Sequence, residues 1–183
     1  MENHITVSNV DDPNAAAMQL LRQTIAPAGR IVLPVAVEEV ARCLGVEYRR
    51  MRLEPGTDGL LVKDRPNVPF KAVVDDTVHS HRARFTLAHE LGHYIHRYQD
   101  LPADKVAGKV EKRDELSHLG TDPEERWANA FAAALLMPPG PMVILWGQGT
   151  SVKHMADRFD VSVEAMRYRI DKLGLEDLHV ERG

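Results

Sequence analysis

One cysteine, Cys43, stands in a chain of 183 residues, and a lone thiol excludes an internal disulfide framework. It fits a reducing, cytoplasmic setting. Because it falls on the apolar side of an expected helix, it reads as a small core residue and not as a reactive thiol. Long apolar runs are missing as well. None approaches the roughly eighteen residues that a membrane helix needs. The opening MENHITVSNVDDPN has neither the apolar core nor the basic flank of a signal segment, so the expectation is a soluble, cytoplasmic protein. A strong charge of one sign is also absent: the net charge is −4, which gives no reason to expect non-specific binding to nucleic acid. What is present is an ordinary globular balance, 44% hydrophobic and 27% charged, enough for the core of one domain.

Punctuation along the chain divides it into elements. Residues 1–12 read as a mobile tail. From Pro13 the run through Leu21 reads as a short helix that ends near Pro27-Ala28-Gly29. A second helix is expected from Pro34, a residue suited to a first turn, with Val37, Val40, Ala41 and Leu44 at helical spacing and Gly45 placed to stop it. Three extended segments follow, 46–53, 59–63 and 70–74, separated by Pro55-Gly56 and Arg65-Pro66-Asn67. Turn signals so closely spaced predict a small antiparallel sheet, and helices with such a sheet make the fold class α+β. Residues 98–122 are polar and poor in large apolar groups. They read as a mobile surface loop that would serve as a lid beside an active site. His118 lies in it and is expected to be solvated.

The stretch RARFTLAHELGHY, residues 82–94, organises the rest. Thr77 or Ser80 is expected to cap its helix, which should run to Arg97. His89 and His93, four residues apart, fall on one face, so both imidazoles can reach a single metal ion at about 2.0–2.1 Å. Glu90 lies about 100° round the helix from His89, turned away from a ligand position and able to act on a water at the metal. Its neighbours Phe85, Leu87, Ala88, Leu91 and Ile95 predict a buried helix, and buried histidines need partners. His79, His81 and His96 offer a fourth ligand, though His96 reads rather as solvent-facing or as support behind the ligands.

A hydrolytic zinc site keeps three protein ligands. The third is expected on the next long helix, Thr121 to Met137, which is rich in alanine and leucine. Two carboxylates compete. With Thr121 as N-cap, Glu124 takes the third helical position of a capping box; with Asp122 as N-cap and Pro123 next, Glu125 takes it. Spacing leaves both open. Glu125 shares a stripe with Asn129, Ala132 and Leu136, a narrow face suited to lie against the metal helix, and this favours Glu125.

Together, RxRFTLAHELGHY at Arg82–Tyr94 and ExxANxFAxxLLMP at Glu125–Pro138 resemble the ImmA/IrrE family of bacterial and phage metallopeptidases. The likeness runs from near Ile31 to near Leu175. It implies a zincin-like core in which His89, His93 and Glu125 bind zinc, a gluzincin-like HExxH…E set, with Glu90 as the catalytic base. It implies an endopeptidase that cleaves a helix-turn-helix repressor and so lifts repression of stress or mobile-element genes. Larger relatives carry a C-terminal sensor-like domain, for which the residues after Leu175 leave no room.

Beyond Pro138-Pro139-Gly140-Pro141, residues 151–170 read as helix, turn, helix, with Met155, Ala156, Phe159, Val161, Met166 and Ile170 inside and Ser162 capping the second helix. The expected division is a core over 13–140 and a helical, helix-turn-helix-like subdomain over 141–183 packed on it. That spacing raises DNA binding. Glu164 and Asp171 dilute Arg167, Arg169 and Lys172, however, so direct nucleic-acid binding is not expected. The rival to the enzyme is a non-catalytic, zinc-containing regulator that binds a repressor or DNA. Glu90 argues against it, since structural zinc takes four protein ligands and needs no base. The second oxyanion donor stays open among Tyr94, His118 and an arginine.

Overall fold

The computed structural model describes residues 5–8, 10–114 and 122–176. Helix α1, Pro13–Gln23, starts where expected: the Asp12 side chain accepts a hydrogen bond from the Asn14 backbone N–H and Pro13 fills the first turn. It buries Ala16, Ala17, Leu20 and Leu21. Helix α2, Val37–Cys43, begins three residues after Pro34, with Glu38 and Glu39 in its first turn. Gly45 follows it with φ +70°, the left-handed conformation that a glycine adopts without steric cost.

Strands β1 (Glu47–Met51), β2 (Thr57–Lys63), β3 (Lys71–Asp75) and β4 (Lys109–Asp114) form one sheet in the order β1-β3-β2-β4. The sheet is mixed, not antiparallel: β2 runs antiparallel to β3 and β4, whereas β1 and β3 are parallel. The cause is topological. β1 and β3 point the same way because one reversal separates each from β2, and β3 slots between them. Turn residues announce reversals but not which strands become neighbours. The central strands β2 and β3 are mostly buried, whereas β1 exposes Arg49, Arg50 and Met51 at the sheet edge.

Two stretches expected to be mobile are structured. Within 98–122, a short helix α4 (Ala103–Val106) leads into β4, which pairs with β2 from Lys109 to Asp114. The polar composition concealed an edge strand, whose order comes from backbone pairing and not from apolar alternation. Residues 115–121, His118 among them, lie outside the described residues. Nor are residues 1–12 all tail. Val7 is buried and exchanges two hydrogen bonds with the Gln99 side chain, at 2.9 and 2.8 Å.

Helix α3, Ser80–His93, is capped by neither Thr77 nor Ser80: the His79 ring accepts from the His81 backbone N–H. It continues as a π-helical turn over Tyr94–Tyr98. Helix α5 spans Pro123–Leu136, and α6, Pro139–Gly147, turns away from it by 55° at Met137-Pro138. Helices α7 (Val152–Phe159) and α8 (Val163–Lys172) are capped by Ser151 and Ser162. Among the described residues, no single helix is long and apolar enough to cross a membrane. Helix α3 packs on β2, β3 and α5, and α1 packs on α5. Fully buried Leu87, Leu91, Phe131, Leu135 and Leu136 fill this centre, at about 1.5–3 kcal/mol of burial each.

Candidate metal centre

The site exists because α3 and α5 approach closely. A Cβ on Gly92 would stand 3.1 Å from the Phe131 ring and 3.2 Å from the Ala128 Cα, tighter than ordinary side chains tolerate. Gly92 and Ala128 are thus the contact point, and Ala128 lies between Glu125 and Asn129 on the facing helix. A second close approach presses the sheet onto α3. A Cβ on Gly59 of β2 would collide with the Thr86 methyl and lie 3.1 Å from a Glu90 carboxylate oxygen. His89, Glu90 and His93 are all buried.

Within this packing, His89, His93 and Glu125 converge. The two Nε2 atoms are 2.9 Å apart, His93 Nε2 lies 3.1 Å from Glu125 Oε1, and His89 Nε2 lies 3.3 Å from Glu125 Oε2. Among the described residues these three form the one group of histidine, cysteine and acidic side chains whose donor atoms gather closely enough to hold a metal ion. Ligands at 2.0–2.1 Å from a tetrahedral centre stand about 3.3 Å apart, so the observed spacings fit three corners of such a site. His89 Nδ1 lies 3.0 Å from Asn129 Oδ1. A proton on Nδ1 donated to that oxygen leaves the lone pair on Nε2, toward His93 and Glu125. Electron pairs directed at one small space call for a cation between them.

The electrostatics point the same way. Burial of the His93 ring works against its charged form, but Glu125, Glu90 and Glu124 outweigh it and raise its pKa. Burial likewise works against the Glu125 carboxylate, yet His89 and His93 hold its pKa well below the usual range. This is a site that gathers positive charge.

Asp122 is the N-cap of α5, accepting from the Glu124 backbone N–H at 2.9 Å. That sets Glu125 third in the helix, and its side chain faces the histidines rather than closing a capping box. Glu124 stays out of the ligand cluster: it pairs with Arg97 and its Oε1 lies 3.8 Å from His93 Nδ1, the ring nitrogen that does not meet Glu125, and 3.9 Å from His96 Nδ1. His96 packs at a tilt against Trp127, 4.5 Å between ring centroids, outside the donor cluster. His79 serves the α3 cap, and His81 sits 3.2 Å from Asp160. Of the residues weighed as second oxyanion donor, Tyr94 packs edge-on against Phe70. The two arginines of the motif are braces: Arg82 pairs with Asp58 of β2, and Arg84 binds Asp160 and the Val35 carbonyl.

Sequence reasoning missed three contributors. The stripe of Glu125 includes Asn129, but the bond of Asn129 to His89 depends on which α3 residue faces it. Gly59 and Gly92 act through what they lack, and only the unusual run of small residues around Ala128 hinted at a close crossing.

The model of a peptidase family with an IrrE N-terminal-like domain matches residues 41–171. That span covers most of the chain and every residue of the cluster, so the chain belongs to this family. No curated protein matches it.

Proposed function

We propose that this member of the IrrE N-terminal-like peptidase family is a zinc-dependent endopeptidase whose substrate is a helix-turn-helix repressor. The observation that carries the reading is the convergence of His89, His93 and Glu125 beside the buried carboxylate of Glu90. Those three residues would hold the zinc, in a core read as zincin-like over 13–140, with the helices of 141–183 packed against it. Bound zinc supplies Lewis-acid polarisation of a scissile carbonyl and acidifies a water.

The chain's own residues do the rest. Glu90, on the next helical position after His89, takes the proton of the attacking water and later delivers it to the leaving amine. Its carboxylate is buried against Gly59, in a setting where a fixed group interacts strongly with developing charge. Asn129 fixes the ring and tautomer of His89. The outer edge of β4 offers main-chain groups along which an extended substrate segment can pair. The repressor as substrate rests on the family likeness of the two motifs.

Glu90→Gln tests the reading. The variant keeps shape and polarity but takes no proton. It should fold and keep its zinc, while cleavage of a co-expressed helix-turn-helix repressor falls by roughly 10²–10⁴-fold. If Glu90→Gln relieves repression as well as the parent does, proteolysis is not the mechanism and the protein acts by binding.

A further inference from the structure

A groove of about 1330 Å³ runs between the start of α3, the outer face of α5 and α8. Its wall includes Asn129, the residue bonded to the His89 imidazole, so it lies next to the metal centre, although His89, His93 and Glu125 do not line it. Its floor is apolar and made of half-buried Phe85, Ala130, Ala165 and Leu173, with the Tyr168 ring 60% exposed at the edge. The charge at its opening is mainly positive. Arg126 and Lys172 stand exposed on opposite walls, and Glu164 is the one acidic residue lining it among the described residues. In a chain of net charge −4, this rim is a local reversal.

We infer that this groove docks an amphipathic helix of the substrate protein, with an apolar stripe edged by carboxylates. Three helices wall the groove, which is how one helix beds against others, its stripe in the trough and its flanks at the rim. The apolar floor sets it apart from a nucleic-acid surface, which would present polar and cationic groups along its length. Arg169, the most deeply buried cation lining the groove, is already spent on the Met137 carbonyl and Asn14. The rim cations therefore select the partner, and Tyr168 is the exposed aromatic anchor. The inference deepens the peptidase reading and rests on it for calling the helix part of a substrate. The binding itself does not depend on catalysis.

The test uses full-length Glu90→Gln protein and a fluorescent amphipathic peptide of about five helical turns, leucine on one face and glutamate on the flanks. A twin carries lysine in place of glutamate. Fluorescence anisotropy should show the acidic peptide binding at least about tenfold more tightly than its twin. The double variant Arg126→Glu, Lys172→Glu changes only exposed side chains and should invert that preference, and Tyr168→Ala should weaken both peptides. Equal binding of the two peptides, or an unchanged preference in the double variant, overturns the inference. So does a short duplex DNA that binds more tightly than the acidic peptide and is lost in the double variant. Since binding is read on a variant expected to lack catalysis, these outcomes leave the peptidase reading to its own test.

Discussion

Two helix pairs of this molecule put their polar residues to opposite uses. Where α3 crosses α5, small residues let the backbones nearly touch, and His89, His93, Glu125 and Asn129 turn toward one another in the gap. Where α8 meets the rest of the fold, a buried arginine does the joining. Arg169 gives one bond to the carbonyl of Met137, just past the end of α5, and another to Asn14 at the start of α1. Arg84 similarly ties α3 to the α7–α8 turn through Asp160, which adopts φ 54°. The second arrangement closes its own hydrogen bonds and leaves an open groove beside it. The first concentrates donor atoms that satisfy one another only when a cation lies among them. Buried polar groups thus mark a scaffold when each donor meets its own acceptor, and a site when several electron-pair donors converge on one point.

The sharpest way to break this distinction is to remove one converging group at a time and titrate zinc. Glu125→Ala should lower zinc affinity by more than about 100-fold, since it deletes a proposed ligand. Asn129→Ala should lower it by about 10–100-fold, the usual consequence of losing a group that orients a metal-bound histidine. Glu124→Ala is the control. It removes the partly exposed pair with Arg97 and a carboxylate 3.8 Å from His93 Nδ1, beyond hydrogen-bond reach of that ring, and should leave zinc affinity within a few-fold of the parent. If Glu124→Ala loses zinc and Glu125→Ala keeps it, the ligand is one residue earlier than proposed.

The next contrast separates close packing from clamping. Gly92→Val drives a branched side chain into Phe131 and Ala128. It should cost roughly 1–3 kcal/mol of stability and also weaken zinc, because it wedges apart the helices that carry the ligands. Arg169→Met keeps length and apolar contact but strands the Met137 carbonyl and Asn14. It should cost about 1–3 kcal/mol with zinc affinity nearly unchanged. Denaturant midpoints and zinc titrations on the same samples decide the matter. Equal loss of zinc in both variants would mean that the two regions are one mechanical unit.

Much of this was legible because local chemistry wrote it. Ser162 caps its helix as expected, Gly45 ends α2, and the His89–His93 spacing placed two imidazoles on one face. Long-range choices were harder to read. The parallel pairing of β1 with β3 depends on which strand slides between which, and nothing in either strand states it. Strand β4 is ordered by β2 across the intervening α3, so its polar sequence read as a loop. Val7 is held by Gln99, ninety-two positions away. Glu125 could be favoured over Glu124 but not fixed, because the decision lies in one capping residue, Asp122.

The smallest expected effect concerns a carboxylate that resembles Glu125 in collecting partners but draws two of its three from backbone N–H groups. Asp75 ends β3, just before the turn that feeds α3. It accepts from the Thr77 hydroxyl, from the Leu53 backbone N–H at 2.7 Å and from the Thr77 N–H at 2.8 Å. These bonds, the Thr77 hydroxyl foremost, lower its pKa from 3.8 to about 2. The folded-state value lies below the unfolded one, so the ionised group favours the folded form. That stabilisation is fully present above about pH 4 and is lost as the pH falls toward 2. Asp75→Asn cannot titrate, and its Nδ2 cannot accept, so it should be the less stable protein near neutrality and approach the parent as acid protonates Asp75. Denaturation midpoints measured in steps between pH 6 and pH 2 should therefore fall less steeply for Asp75→Asn, by the contribution of a single proton. Zinc affinity at neutral pH should stay close to that of the parent, because the change lies at the entrance to α3 and not at its crossing with α5. Parallel pH curves for the two proteins would show that Asp75 titrates alike whether folded or unfolded, and that these backbone bonds do not fix the start of α3.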